Sequence, residues 1–145
     1  MPSVYLGNLF GIASLLKLAE IIFLLIVVAV AEAGDFPPLF GGSHLSQFFL
    51  GAGICVGYLI INLCLLVSYA IGHTGTQRSA LELFLYIVGF ILFLSLSISV
   101  FVKSSDIYNI YHLKTKLIVE GCFLLMTAVC QLLDAIFNWR RDPLQ

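Results

Sequence analysis

The chain has 145 residues, of which 61% are hydrophobic and 10% charged, whereas charged residues usually make up about 25% of a soluble domain. A chain of this length has too small a core to hide so many apolar side chains from water. The net charge of -1 and the absence of a Lys/Arg cluster exclude nucleic acid as a partner. The composition therefore predicts a single integral membrane domain.

Four apolar runs predict four membrane-spanning helices, at about 10–33, 48–71, 80–102 and 116–138. The first run reaches membrane length only if Lys17 and Glu20 enter its helix, with the Lys17 stem lying along apolar surface. The next two contain no charge over 48–71 and 83–102, and each is long enough to cross a hydrocarbon core of about 30 Å. Because only the polar segment 72–82 separates them, they predict a transmembrane hairpin.

A signal peptide is the competing interpretation of the first run. Lys17 would then be its basic region, 18–30 its apolar region and 31–33 a small-x-small cleavage site, and cleavage would leave three spans. A retained span is preferred, because the positive charge is single and the segment before it is itself apolar.

Basic residues near the spans are divided almost evenly between the two sides of the membrane. One side holds Lys17, Arg78, Arg140 and Arg141, and the other holds Lys103, Lys114 and Lys116. The loop at 32–47 has acidic residues but no Lys or Arg, and a basic pair follows the last span. The positive-inside rule therefore favours both termini in the cytosol.

Charged side chains inside a membrane are costly, which makes each one a functional candidate. Lys17 and Glu20 are three residues apart and share a helix face, so they can neutralise each other. With four spans, the start of the first and the end of the fourth lie on the same side, so Asp134 can reach Lys17. These residues predict an intramembrane charge cluster, which either sets the helix register or serves as a proton relay through Glu20. The first role is preferred.

Small and amide side chains within the spans predict helix–helix packing rather than a permeation path. Two glycines have the G-x-x-x-G spacing that lets helices approach closely, two amides are isolated in mid-helix, and two serines share a face of the third helix. In that order these residues are Gly53, Gly57, Asn62, Gln131, Ser95 and Ser99.

The motifs of enzymes and metal sites are missing from the sequence. The cysteines all fall within predicted spans, without a C-x-x-C pair or a zinc-binding spacing. Metal-binding H-E-x-x-H, phosphate-binding glycine loops and the G-x-S-x-G elbow are also absent. We therefore expect no catalytic residue, no metal and no cofactor.

Three segments carry a family resemblance: LLKLAE at 15–20, the tight turn GHTGTQRS at 72–79, and LLDAIF at 132–137 before a basic tail. In these features the chain resembles the MARVEL-type four-span membrane proteins, a group that includes MAL, singles bar and occludin. With GYLI at 57–60 added, it is most similar within the group to a small insect protein of smooth septate junctions.

The resemblance implies an all-α, left-handed four-helix bundle with short loops and no catalytic residues. It also implies organisation of the plasma membrane at cell–cell junctions, with apical transport vesicles as the alternative location. The expected partners are membrane lipids and either other junctional membrane proteins or further copies of the chain. The outer loops, 32–47 and 103–116, are too short to form a standard interface of about 800 Å² per partner, which favours assembly within the membrane.

Overall fold

The computed structural model describes residues 11–33, 45–71, 80–106 and 111–140, and within these residues the chain forms four α-helices and no strand. The helices are α1 (Ile12–Glu32), α2 (Leu45–Ala70), α3 (Ala80–Asp106) and α4 (Tyr111–Arg140). Each of them contains a segment long and apolar enough to cross a membrane. The predicted all-α architecture with four spans is confirmed, and the chain is a multi-pass membrane protein.

Three helices extend beyond the apolar runs that predicted them. α2 begins at Leu45 rather than near 48, α3 continues to Asp106 rather than ending near 102, and α4 runs from Tyr111 to Arg140 rather than from about 116 to 138. Backbone hydrogen bonds persist in the headgroup region, and Lys103 is a cation in the last turn of α3, where it complements the helix dipole. The 27 residues of α3 measure about 40 Å, the thickness of a bilayer with its headgroup layers.

Some sequence predictions lie outside the described residues. They include the turn at 72–79 with Arg78, the basic residue Arg141, and residues 34–44 and 107–110 of the two predicted outer loops. We refer to the end of the bundle where α1 begins and α4 ends as the terminal end, and to the opposite end as the distal end. The terminal end is the one that the sequence predicts to be cytosolic.

The order of the helices around the bundle follows their order in the chain, and α4 closes the ring by packing against α1. α3 packs most extensively against α4, while α1 contacts both α4 and α2. Contact between α2 and α3 is sparse, although these two helices form the predicted hairpin. The order around the bundle is therefore α1, α2, α3, α4, and the seam between α2 and α3 is the loosest.

The apolar core is built from side chains of all four helices, such as Leu24, Cys55, Phe93 and Leu124. Across the seam between α2 and α3, the rings of Tyr58 and Phe93 pack edge to face, with their centroids 5.1 Å apart. The Tyr58 hydroxyl donates a hydrogen bond of 3.0 Å to the Leu85 carbonyl of α3. Gly89 makes room for this ring, because a Cβ atom there would lie 2.7 Å from Tyr58 Cε1.

Candidate functional site

A buried cluster of polar side chains from all four helices lies at the terminal end of the bundle. Its central group is the Lys17 ammonium of α1, which has no exposed surface. Lys17 Nζ lies 2.8 Å from Glu20 Oε2 and 2.7 Å from Asp134 Oδ2, so it bridges α1 and α4. The same atom lies 4.2 Å from the centroid of the Tyr86 ring of α3, within cation–π range. The members of this Lys17 cluster are Lys17, Glu20, Tyr69, Glu82, Tyr86, Gln131 and Asp134.

Helical spacing explains why each helix brings its polar side chains to one place. Residues three or four apart share a face of a helix, and this spacing relates Gln131 to Asp134 on α4 and Glu82 to Tyr86 on α3. Gln131 Nε2 donates a hydrogen bond of 3.0 Å to Glu20 Oε2. Gln131 and Asp134 therefore both join α4 to the charged residues of α1.

The tyrosine side of the cluster joins α2 to α3. The hydroxyl groups of Tyr69 on α2 and Tyr86 on α3 both donate hydrogen bonds to Glu82 Oε1. The two hydroxyl oxygens are themselves 3.2 Å apart. The loosest seam of the bundle is therefore closed at its terminal end by hydrogen bonds to one buried carboxyl group.

The charges in the cluster are unequal in number. Within the part of the chain that the structure describes, one ammonium faces the three carboxyl groups of Glu20, Glu82 and Asp134, and all four residues are buried. Glu20 Oε1 has no hydrogen-bond partner among the described residues. Chemically, the arrangement can hold four helices in register, and it also has carboxyl oxygens that can take up a proton.

The structure brings Lys17, Glu20 and Asp134 together, and it adds Gln131, which the sequence singled out only for helix packing. Sequence reasoning missed Tyr69, Glu82 and Tyr86. Glu82 is the last residue of the polar segment 72–82 and lies at the start of the predicted span 80–102, and the structure places it in the first turn of α3. The pairing of Glu82 with a tyrosine four residues later was the signal available in the sequence.

The two glycines and the isolated amide of α2 lie in different surroundings. A Cβ atom added at Gly53 or at Gly57 would have no neighbour within 4 Å, so neither glycine accommodates another described helix. Asn62 is buried inside the bundle, with 1% of its surface exposed. The role of the two glycines in association with other proteins stays a prediction.

The serines of α3 divide between the membrane surface and the bundle interior. Ser95 and Ser99 are exposed, and Ser95 Oγ donates to the Ile91 carbonyl of its own helix. The serine that connects two helices is instead Ser97, whose hydroxyl donates a 2.9 Å hydrogen bond to the Gly121 carbonyl of α4. The alternation of Ser95, Ser97 and Ser99 in the sequence therefore does not show which face of α3 is buried.

Further ionisable and thiol groups lie outside the cluster. Glu120 of α4 is fully buried, closer to the distal end. The cysteines are free: Cys55, Cys64, Cys122 and Cys130. Among the residues that the structure describes, no group of three or more His, Cys, Asp and Glu side chains is arranged to hold a metal ion.

Replacing Tyr69 by phenylalanine tests the link between α2 and α3. We expect a loss of about 0.6 kcal/mol in the free energy of unfolding, the average measured for hydrogen bonds between membrane helices, for which the maximum is about 1.7 kcal/mol. The measurement is unfolding by SDS in mixed micelles, followed by circular dichroism. A double-mutant cycle with Glu82→Gln should give a clear coupling energy, and strictly additive effects would contradict the hydrogen bond.

Comparisons with protein-family models, with curated proteins and with solved structures find no match to this chain. The resemblance to MARVEL-type proteins therefore rests on the sequence features given above. What the architecture establishes is an all-α integral membrane protein with four membrane spans and a buried, charged cluster at the end of the bundle where the chain enters and leaves it.

Proposed function

We propose that this chain is a non-enzymatic membrane-organising protein of cell–cell junctions or apical membrane domains. It acts through packing of its helices against other membrane proteins and through its short outer loops. The observation that carries the proposal is the Lys17 cluster, in which side chains from all four helices meet in one buried network. Such a network favours a bundle that keeps one shape and presents constant surfaces to its neighbours.

The outer surface of the bundle supports the same proposal. Large apolar side chains are exposed on every helix, such as Leu25, Ile60, Ile91 and Val129. These side chains face lipid, or another membrane protein in an assembly. Lipid tails contact these side chains as favourably as a partner helix does, so apolar contact alone gives no net gain in free energy on association. Partners are therefore selected by shape and by small residues that allow close approach.

The location at junctions is supported by the sequence resemblance. Segments 15–20, 72–79 and 132–137 resemble those of MARVEL-type proteins, several of which belong to cell junctions. The connections between helices are short, so an extracellular interface of standard size, about 800 Å² per partner, requires a contribution from a partner. Assembly within the membrane with a larger junctional protein, or with further copies, fits this requirement best.

A second candidate function is a small proton-coupled transporter in which Glu20 takes up and releases a proton. The specific observation in its favour is the excess of carboxyl groups over ammonium groups in the Lys17 cluster. An ionisable network inside a membrane is a common feature of proton relays. The hydrogen bond from Gln131 and the bridge from Lys17 both involve Glu20 Oε2, which leaves Oε1 as the oxygen that would receive the proton.

One pair of experiments separates the two functions. A tagged copy is expressed in polarised epithelium and compared with a junction marker, both as the original sequence and as Glu20→Gln. The membrane organiser should concentrate at lateral contacts in both forms, because glutamine preserves the shape and an oxygen that accepts hydrogen bonds from Lys17 and Gln131. Staining that is uniform over all membranes would contradict the junctional location.

The transporter is tested directly in liposomes that contain a pH-sensitive dye and carry an imposed pH gradient. If the bundle organises membranes, proton flux should equal that of empty liposomes. A flux that depends on the protein and disappears in Glu20→Gln would instead establish the second candidate. Asn62→Leu, which changes a buried polar residue outside the Lys17 cluster, is the control for general leakiness.

A further inference from the structure

We propose that the groove between α2 and α3 at the distal end of the bundle binds one membrane lipid with an anionic headgroup. The groove has a volume of about 380 Å³ and is open to the surrounding membrane. Residues from both helices line it, among them Gln47, Leu50, Leu96, Ser99, Val102 and Lys103. The proposal does not depend on the junctional function, because it concerns a lipid that the isolated protein binds.

The groove exists because α2 and α3 meet only over part of their length. The ring and hydrogen-bond contacts described above lie in the middle and at the terminal end: Tyr58 meets Phe93 and the Leu85 carbonyl, and Tyr69 meets Glu82 and Tyr86. Toward the distal end the groove separates the two helices. The side chains on both walls of an empty gap lose dispersion contacts, so in a bilayer another molecule fills the gap.

The arrangement of polar and apolar side chains indicates what fills it. Gln47 lies in the first turn of α2 and Lys103 in the last turn of α3, so both are at the headgroup level. Together with Ser99 they place hydrogen-bond donors and one positive charge at this end, while Leu50 and Leu96 make the wall apolar. A lipid has the same distribution, with a polar headgroup above an apolar chain.

The charge at the headgroup level indicates an anionic lipid. Lys103 makes no ion pair with any other described residue, and Asp106, one turn further, is exposed to solvent. A lysine near the membrane surface contributes about 1 kcal/mol to the binding of an anionic lipid, which is about a five-fold gain in affinity. Because the distal end is predicted to lie outside the cytosol, the groove is predicted to open to the outer leaflet.

A path for the acyl chain continues along α2. A second groove, of about 280 Å³, adjoins the first at Leu50 and is lined by Gly53, Gly57 and Ile61. Nothing lies within 4 Å of a Cβ atom added at either glycine, so protein leaves this space open. From Gln47 to Ile61 the helix rises about 20 Å, which exceeds the depth of about 15 Å of one leaflet. One acyl chain therefore fits along the combined groove.

The test is native mass spectrometry of the purified full chain in detergent, titrated separately with phosphatidylserine and with phosphatidylcholine as probes. The original sequence should bind one phosphatidylserine about five-fold more tightly than phosphatidylcholine. Lys103→Gln should remove this preference and leave phosphatidylcholine binding unchanged. The matched control Lys114→Gln, a half-buried lysine of α4 outside the groove, should keep the preference.

The acyl-chain path is tested with Gly53→Leu combined with Gly57→Leu, which fills the second groove from positions where an added Cβ atom has no described neighbour within 4 Å. This variant should bind both lipids more weakly while it unfolds at the same SDS fraction as the original sequence. Equal affinity for the two lipids in the original sequence, or an equal effect of Lys103→Gln and Lys114→Gln, would overturn the anionic headgroup. Dimers that the glycine variant abolishes would show that a second copy, not a lipid, occupies the groove.

Discussion

Lys17→Met should destabilise the bundle by about 3–5 kcal/mol, the usual cost of removing one partner from a buried ion pair. Methionine keeps most of the apolar stem but removes the ammonium that bridges Glu20 and Asp134. Those carboxyl groups would then remain buried without their cation. Unfolding in mixed micelles with SDS, followed by circular dichroism, measures the loss.

Two further variants make this result specific. Lys114→Met removes a half-buried lysine of α4 outside the cluster and should change stability by less than about 0.5 kcal/mol. Combining Lys17→Met with Glu20→Gln and Asp134→Asn removes the ammonium together with the two carboxyl groups that it bridges, and it should recover most of the loss, because these two side chains then need no cation. If Lys17→Met alone unfolds like the original sequence, the bridge does not stabilise the bundle.

Gly89→Leu should have the second-largest effect, a loss of about 1–3 kcal/mol from overpacking. A Cβ atom at this position would lie 2.7 Å from Tyr58 Cε1 and 3.1 Å from Gln131 Oε1. The Tyr58 ring cannot easily retreat, since it packs on Phe93 and its hydroxyl is hydrogen-bonded to α3. The same unfolding assay gives the loss.

Gly57→Leu is the matched control for this substitution. It introduces the same side chain into a membrane helix, but the space around Gly57 is open. We expect its stability to stay close to that of the original sequence. A similar loss at both positions would mean that leucine acts through the backbone of the helix and not through the contact of Gly89 with Tyr58.

The architecture could be predicted from the sequence because the membrane imposes a simple rule. An apolar run that is long enough must be a helix, since the hydrocarbon core offers its backbone no other hydrogen-bond partners. Part of the Lys17 cluster followed from the same logic. The spacing of Lys17 and Glu20 placed them on one face, and the count of spans brought Asp134 to the same end.

The rest of the cluster could not be predicted, for a physical reason. Membrane helices are apolar on their lipid-facing and their interior faces alike, so hydropathy does not indicate which face of α2 is buried. The glycine pair Gly53 and Gly57 suited packing inside the bundle as well as outside it. Glu82 ends the polar segment 72–82 at the edge of the predicted third span, and only the position of Tyr69 across the seam shows that its side chain belongs to the interior.

The order of the helices around the bundle has a consequence for how the protein is made. α4 is synthesised last, yet α1 and α3 both pack against it, and the hydrogen bond between Glu20 and Gln131 joins residues 111 positions apart. While the ribosome is still translating, Lys17 has its neighbour Glu20 as a counter-charge, which lowers the cost of releasing α1 into lipid. Before α4 is made, α1 can pack against α2, but α3 has little surface to pack against, because its contact with α2 is sparse. Completion of the bundle is therefore a late event of biogenesis, and a chain interrupted before α4 would present the membrane quality-control machinery with an unassembled α3.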